Sequence, residues 1–221
     1  MLTQYQEARR GVRTDVLKVI EKLSEVNAKA LKAVGTSDVA MMEQIRKELK
    51  SINKATETID NKLVAIFALY TPEARDLREM VAYLKITSGF NRIKTSLNGY
   101  LKNIQGMLSE DDANIMQFIK ESLSINRCTI NAFDKTIEMF KTFDDNEKIK
   151  DLASEIDVEY AKTDDIYALL EKSVIQKMKE SDGMAEEYFN LLKYIRKNLK
   201  IIDRLDSISQ RIIFARMGGK L

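Results

Sequence analysis

The chain has 221 residues, enough for one large domain or two of roughly 100–120 residues each. Hydrophobic residues make up 44% and charged residues 32%, with 36 basic against 34 acidic side chains. That balance excludes intrinsic disorder and gives no global signal for nucleic-acid binding. Histidine is absent, which removes Ser-His-Asp and Cys-His nucleophilic arrangements, His-ligated zinc, Glu-x-x-His di-iron bundles and phosphohistidine chemistry.

One proline and eight glycines favour helices, which lose most from those residues. Six helices are expected, three followed by three. The first runs from about Thr3 to Val34, with Val12, Val16, Val19, Ile20, Leu23, Val26 and Leu31 near helical spacing. Gly35 ends it, and Thr36 or Ser37 caps a second helix over roughly Asp38 to Tyr70. Thr71 is expected to cap a third, with Pro72 in its first turn, where a missing N–H costs nothing. This third helix continues to about Leu108.

Ser109 reads as the next N-cap, with Glu110, Asp111 and Asp112 suited to the helix dipole. The fourth helix runs to about Phe143, and Asp144-Asp145-Asn146 punctuates. The fifth extends to about Glu180, Ser181-Asp182-Gly183 breaks it, and the sixth covers Met184 to Arg216. Short connections imply antiparallel neighbours. Two three-helix units of similar length imply an internal duplication, 1–108 and 109–221. Ile59-Asp60 corresponds to Thr163-Asp164, and Arg92-Ile93 to Lys200-Ile201.

Several features carry weaker signals. No Gly-rich phosphate loop occurs, the late pair Gly218-Gly219 lying after the last helix. The longest apolar run, Leu63 to Tyr70, is far short of the ~20 residues of a membrane-spanning helix. The N-terminal residues lack the basic-then-apolar layout of a signal peptide. The single Cys128 fits a reducing compartment and reads as a small buried hydrophobe. A cytoplasmic, non-enzymatic protein is the expectation. Asp151, Glu155 and Glu159 recur every four residues, as a divalent-cation ladder or as a solvated helix face. The sixth helix is basic, with Lys193, Arg196, Lys197, Lys200, Arg204, Arg211 and Arg216, suiting an acidic partner, an anionic membrane surface or plain solvation.

The segment Thr71-Pro72-Glu73-Ala74-Arg75-Asp76-Leu77-Arg78 resembles the PhoU-family segment Gln-Pro-x-Ala-x-Asp-Leu-Arg. Phe90-Asn91-Arg92-Ile93-Lys94-Thr95 is similar to that family's Leu-Glu-Arg-Ile-Gly-Asp, and Asn198-Leu199-Lys200-Ile201-Ile202-Asp203 falls in the same register. The resemblance implies an all-α fold of two tandem three-helix bundles. It also implies a homodimeric regulator of phosphate uptake that contacts a phosphate ABC-transporter ATPase or a sensor histidine kinase. Such a protein is cytoplasmic, peripheral to the inner membrane through its partner.

Family members hold iron or zinc-type clusters on Glu-x-x-x-Asp pairs, whose spacing puts two carboxylates on one helical face. Here Asn91, Thr95 and Leu199 stand at ligand positions, and Asn98 at a further acidic one. Asp60, Asp164 and Asp203 remain, either as remnant ligands or as surface and helix-pairing carboxylates. One or two carboxylates make a poor cage for a hard cation, so no metal cofactor is expected. Asp76, Arg78, Arg92, Arg196, Lys200 and Arg204 are the candidate partner contacts, with Asp76 equally readable as a first-turn dipole partner. Two alternatives stay open: an accessory of an ion-coupled phosphate permease, and a carboxylate-metal-dependent protein.

Overall fold

A computed structural model describes residues 2–108, 112–180 and 183–219. Among these residues there are eight helical segments and no strand: α1 (Leu2–Gly35), α2 (Val39–Glu48), α3 (Ser51–Tyr70), α4 (Ala74–Met107), α5 (Ala113–Glu121), α6 (Leu123–Lys141), α7 (Asn146–Glu180) and α8 (Ala185–Met217). α1, α3 and α4 pack together, as do α6, α7 and α8. The fold is all-α, two three-helix bundles in tandem. α4 against α8 forms the most extensive seam, with α1 against α6 beside it, so the bundles share one apolar core. Gly89 meets Ile208, Gly99 meets Lys197 and Arg78 meets Gly218, which makes α4 and α8 antiparallel.

The helices bury the stripes their periodicity marks. Val12, Val16, Ile20, Leu23 and Val26 are fully buried, as are Phe90, Ile93 and Leu97 of α4. Each such side chain contributes about 1.5–3 kcal/mol on leaving water. Tyr83, Tyr100 and Tyr188 fill the largest buried volumes together with Phe90, Phe133 and Phe143.

The structure corrects the expected second and fourth helices, which are interrupted. Leu49 and Lys50 keep right-handed helical angles, but the Lys50 N–H reaches back only to Lys47 and the Ile52 N–H only to Leu49. Ser51 Oγ donates to the Glu48 carbonyl at 2.7 Å. Ser122 repeats the device, its Oγ donating to the Ile119 carbonyl at 2.7 Å. Local hydroxyl bonds of this kind compete with the ladder and bend helices.

Three caps also differ. Asp38, not Thr36 or Ser37, caps α2 by accepting from the Met41 N–H. Thr71 ends α3 in a left-handed conformation (φ 45°, ψ 61°) and does not cap α4, which begins only at Ala74, so Pro72 precedes that helix. Asp112 caps α5, accepting from the N–H groups of Asn114 and Ile115. Ser109, Glu110 and Asp111, the break at Ser181-Asp182 and the 108/109 boundary fall on or beside residues outside those described.

Candidate functional site

The α3–α4 face carries the first set of expected ligand positions, and hydrogen bonds within the protein occupy them. Asn91 Nδ2 donates to Thr56 Oγ1 at 3.0 Å. Thr95 Oγ1 turns to the Asn91 carbonyl at 2.8 Å, and Asn98 Oδ1 accepts from Arg46 at 3.2 Å. Asp60, half-buried, accepts from Thr87 Oγ1 at 2.7 Å. One carboxylate among hydroxyls and amides that already satisfy one another does not fit a multinuclear cation cluster.

The α7–α8 face differs. Leu199 is buried, and beside it Asn198 Nδ2 donates to Asn126 Oδ1 at 2.8 Å. Asp203 lies near Tyr160 and Asp164, its carboxyl raised above the usual range by burial, against the opposing pull of Arg204. Asp206 lies against Asp157 and is raised by burial and by that neighbour's charge. Tyr160 is raised in turn, first by Asp203. Four aspartates therefore gather here, where Asp164 and Asp203 had read as isolated. The signal was in the sequence: Asp203 and Asp206 are three apart, and Asp157 and Asp164 are two turns apart. Even so, among the described residues no three acidic or thiol side chains converge as a metal cage.

The acidic ladder on α7 divides among other partners. Glu155 pairs with Lys135, and Glu159 with Lys162 at 2.7 Å. Glu159 also faces Cys128, whose thiol is pushed up to about 11, first by burial and then by that carboxylate.

The expected partner contacts separate into two groups. Asp76 is bound inside the fold, accepting from Tyr5 OH at 2.9 Å and pairing with Arg9 at 3.0 Å. Next to it Glu79, 1% exposed, accepts from Arg9 Nε at 2.9 Å and Tyr83 OH at 2.9 Å, with Arg13 at 3.4 Å. Asp144 continues this network to Arg216 at 2.9 Å, and Arg216 lies over the Phe143 ring. Arg78 packs beside Gly218 with its Nε buried. The ion pairs Arg9–Glu79 and Arg216–Asp144 carry no local sequence signal, because their members are some seventy residues apart.

The remaining candidates face solvent. Arg196 lies over Tyr167 and pairs with Glu171 at 3.7 Å, and Lys200 is exposed. Arg92 and Arg204 oppose each other across a groove of about 310 Å³ between α4 and α8. Lys85 and Ser88 join Arg92 on one wall, Ser207 and Arg211 join Arg204 on the other, and Gly89 and Ile208 form the floor.

Residues 16–95 match the PhoU domain, a span that includes the Pro72 to Ile93 segment. The chain is 23% identical over 200 residues to the phosphate-specific transport system accessory protein PhoU homolog of Streptococcus pneumoniae serotype 4, covering 88% of this chain and 86% of that protein. The crystal structure of PhoU from Pseudomonas aeruginosa has the same fold, with a TM-score of 0.85 at 19% identity over 97% of this chain and 100% of that one. The phosphate transport system regulatory protein PhoU from Streptococcus pneumoniae gives a TM-score of 0.77 at 20% identity over 98% and 99%. The domain match over residues 16–95, the relatives aligned along most of their length and the shared helical architecture make this chain similar to PhoU proteins in sequence and in fold.

Proposed function

We propose that this protein regulates phosphate uptake by docking a helical face on a phosphate ABC-transporter ATPase or a sensor histidine kinase, restraining phosphate-starvation signalling while phosphate is plentiful. The observation that carries this reading is the alignment with a phosphate-transport accessory protein over 88% of the chain. The chemistry of the surface supports recognition over turnover: histidine is absent and Cys128 is a buried thiol of high pKa. Arg196 and Lys200 of α8, with Arg92 and Arg204 at the groove, supply exposed or half-exposed cations for an acidic partner surface.

In this reading the protein works as a homodimer in which each chain carries repeats 1–108 and 109–221, without a metal cluster, and reaches the membrane only through its partner. Among the described residues no helix is long and apolar enough to cross a membrane. The test is capture from membrane extracts by the tagged full chain, with and without phosphate. Recovery of a phosphate-transport or sensor component, changed by phosphate, is the expected result. Recovery of neither overturns the proposal, and recovery of an ion-coupled permease alone assigns the protein to that carrier.

A further inference from the structure

We infer that the groove between α4 and α8 binds a small anion carrying two or more phosphoryl groups, of the diphosphate or short polyphosphate class. This goes beyond the regulatory reading and does not depend on it. Four cations and two hydroxyls line the groove, and no acidic side chain does. None of Lys85, Arg92, Arg204 and Arg211 forms a salt bridge with a described carboxylate, although eighteen such bridges tie cations elsewhere in the fold. Arg211 alone is anchored, one nitrogen donating to the Ser207 carbonyl at 3.3 Å. The acids of α8 lie toward α7: Asp206 rests on Asp157, and Asp203, which feels Arg204, sits by Tyr160 and Asp164. Four like charges held together repel one another, and an anion between them removes that penalty.

The arrangement is ordered. Lys85, Ser88 and Arg92 follow the spacing i, i+3, i+7, and Arg204, Ser207 and Arg211 repeat it. Because the helices are antiparallel, Arg92 stands opposite Arg204 and Lys85 opposite Arg211, with the serines between. The two cation pairs are two helical turns apart, about 10–11 Å along the axis. One orthophosphate can engage one pair, whereas a chain of phosphoryl groups reaches toward both. Gly89 brings the walls close: a Cβ there would lie 3.2 Å from Ile208 Cγ1. Buried Ile208 closes the bottom. Guanidinium groups bind phosphoryl oxygens in a bidentate fork, and serine hydroxyls donate to the oxygens between. A groove of about 310 Å³ is at the small end of ligand pockets and holds such an anion.

Titration calorimetry of the full chain at about 0.15 M ionic strength tests the assignment with orthophosphate, pyrophosphate, tripolyphosphate, a hexaglutamate peptide and phosphatidylglycerol vesicles. Saturable one-to-one binding that tightens along the phosphate series is expected. R92A and R204A should each weaken tripolyphosphate binding roughly tenfold or more, and R92K should recover part of it. R211A should flatten the preference for longer chains while pyrophosphate still binds. Urea unfolding of R92A should match the parent, because Arg92 is exposed. No saturable binding, unchanged binding in R92A and R204A, or equal affinity for the glutamate peptide or the vesicles overturns the proposal.

Discussion

Asn91 and Thr56 face each other across α3 and α4 at 3.0 Å, a neutral pair that is closed on itself. Thr56 Oγ1 also lies within hydrogen-bonding reach of the Ile52 and Asn53 carbonyls, at 3.1 and 2.9 Å. The site therefore needs no cation to satisfy it, and Asp60, the carboxylate that remains on this face, accepts from Thr87. Elemental analysis of protein purified without chelator should find iron and zinc well below one atom per chain. Asn91→Ala should lower stability by about 1 kcal/mol in urea unfolding, the usual worth of one such bond. Stoichiometric metal that survives dialysis would remove the argument.

Glu79 makes the opposite case, a charge that the fold requires. It is 1% exposed and is met by Arg9, Arg13 and Tyr83. Glu79→Ala leaves two guanidinium groups, 17% and 28% exposed, facing an empty pocket. Removing one member of a buried ionic network costs about 3–5 kcal/mol, and the partial exposure of the arginines puts this case near the lower end. Urea denaturation should show a large drop in midpoint for Glu79→Ala. An unchanged midpoint would mean that the network is incidental.

What was legible in the sequence follows the range of each interaction. The stripe Val12, Val16, Ile20, Leu23 depends on 3.6-residue periodicity, a local property, and it is buried as expected. The neutral residues at positions 91, 95 and 199 were also plain, because each is read from its own register. The helix breaks at Lys50 and Ser122 were not, since a serine hydroxyl is compatible with either a straight or a bent ladder. Asp76 read as a first-turn acid or a partner contact because Tyr5 and Arg9 are about seventy residues distant. The groove is the extreme case. Lys85 and Arg211 look like ordinary surface cations until the antiparallel α4–α8 seam sets them side by side.

The environment of Cys128 gives a chemical prediction. Its thiol is buried, sits against Glu159, and is pushed up to about 11. At pH 8 the thiolate is the minor form, and the thiolate is the reacting species. Reaction with Ellman's reagent should be slow in the native protein and fast after addition of denaturant. Glu159→Gln should speed the native reaction by removing the negative neighbour. Rapid native labelling would contradict the burial.

Asp206 gives the pH dependence its sign. Burial and the charge of Asp157 raise its folded pKa above the ordinary value, which is near 3.9 for an unperturbed aspartate. Between the unfolded and folded values the native state holds more protons than the unfolded chain, so stability falls as pH rises through that window. Asp203 acts in the same direction, raised by burial and by Asp164. Above that window each ionised carboxylate comes at a cost to the fold. Asp206→Asn keeps the shape, lets an amide donate to Asp157, and should raise the melting temperature at pH 7. The gain should shrink as pH falls below about 4, where the parent aspartate is protonated in both states. A gain that stays constant from pH 3 to 8 would mean that the benefit comes from packing, and that carboxylate crowding at the α7–α8 face is not what limits stability there.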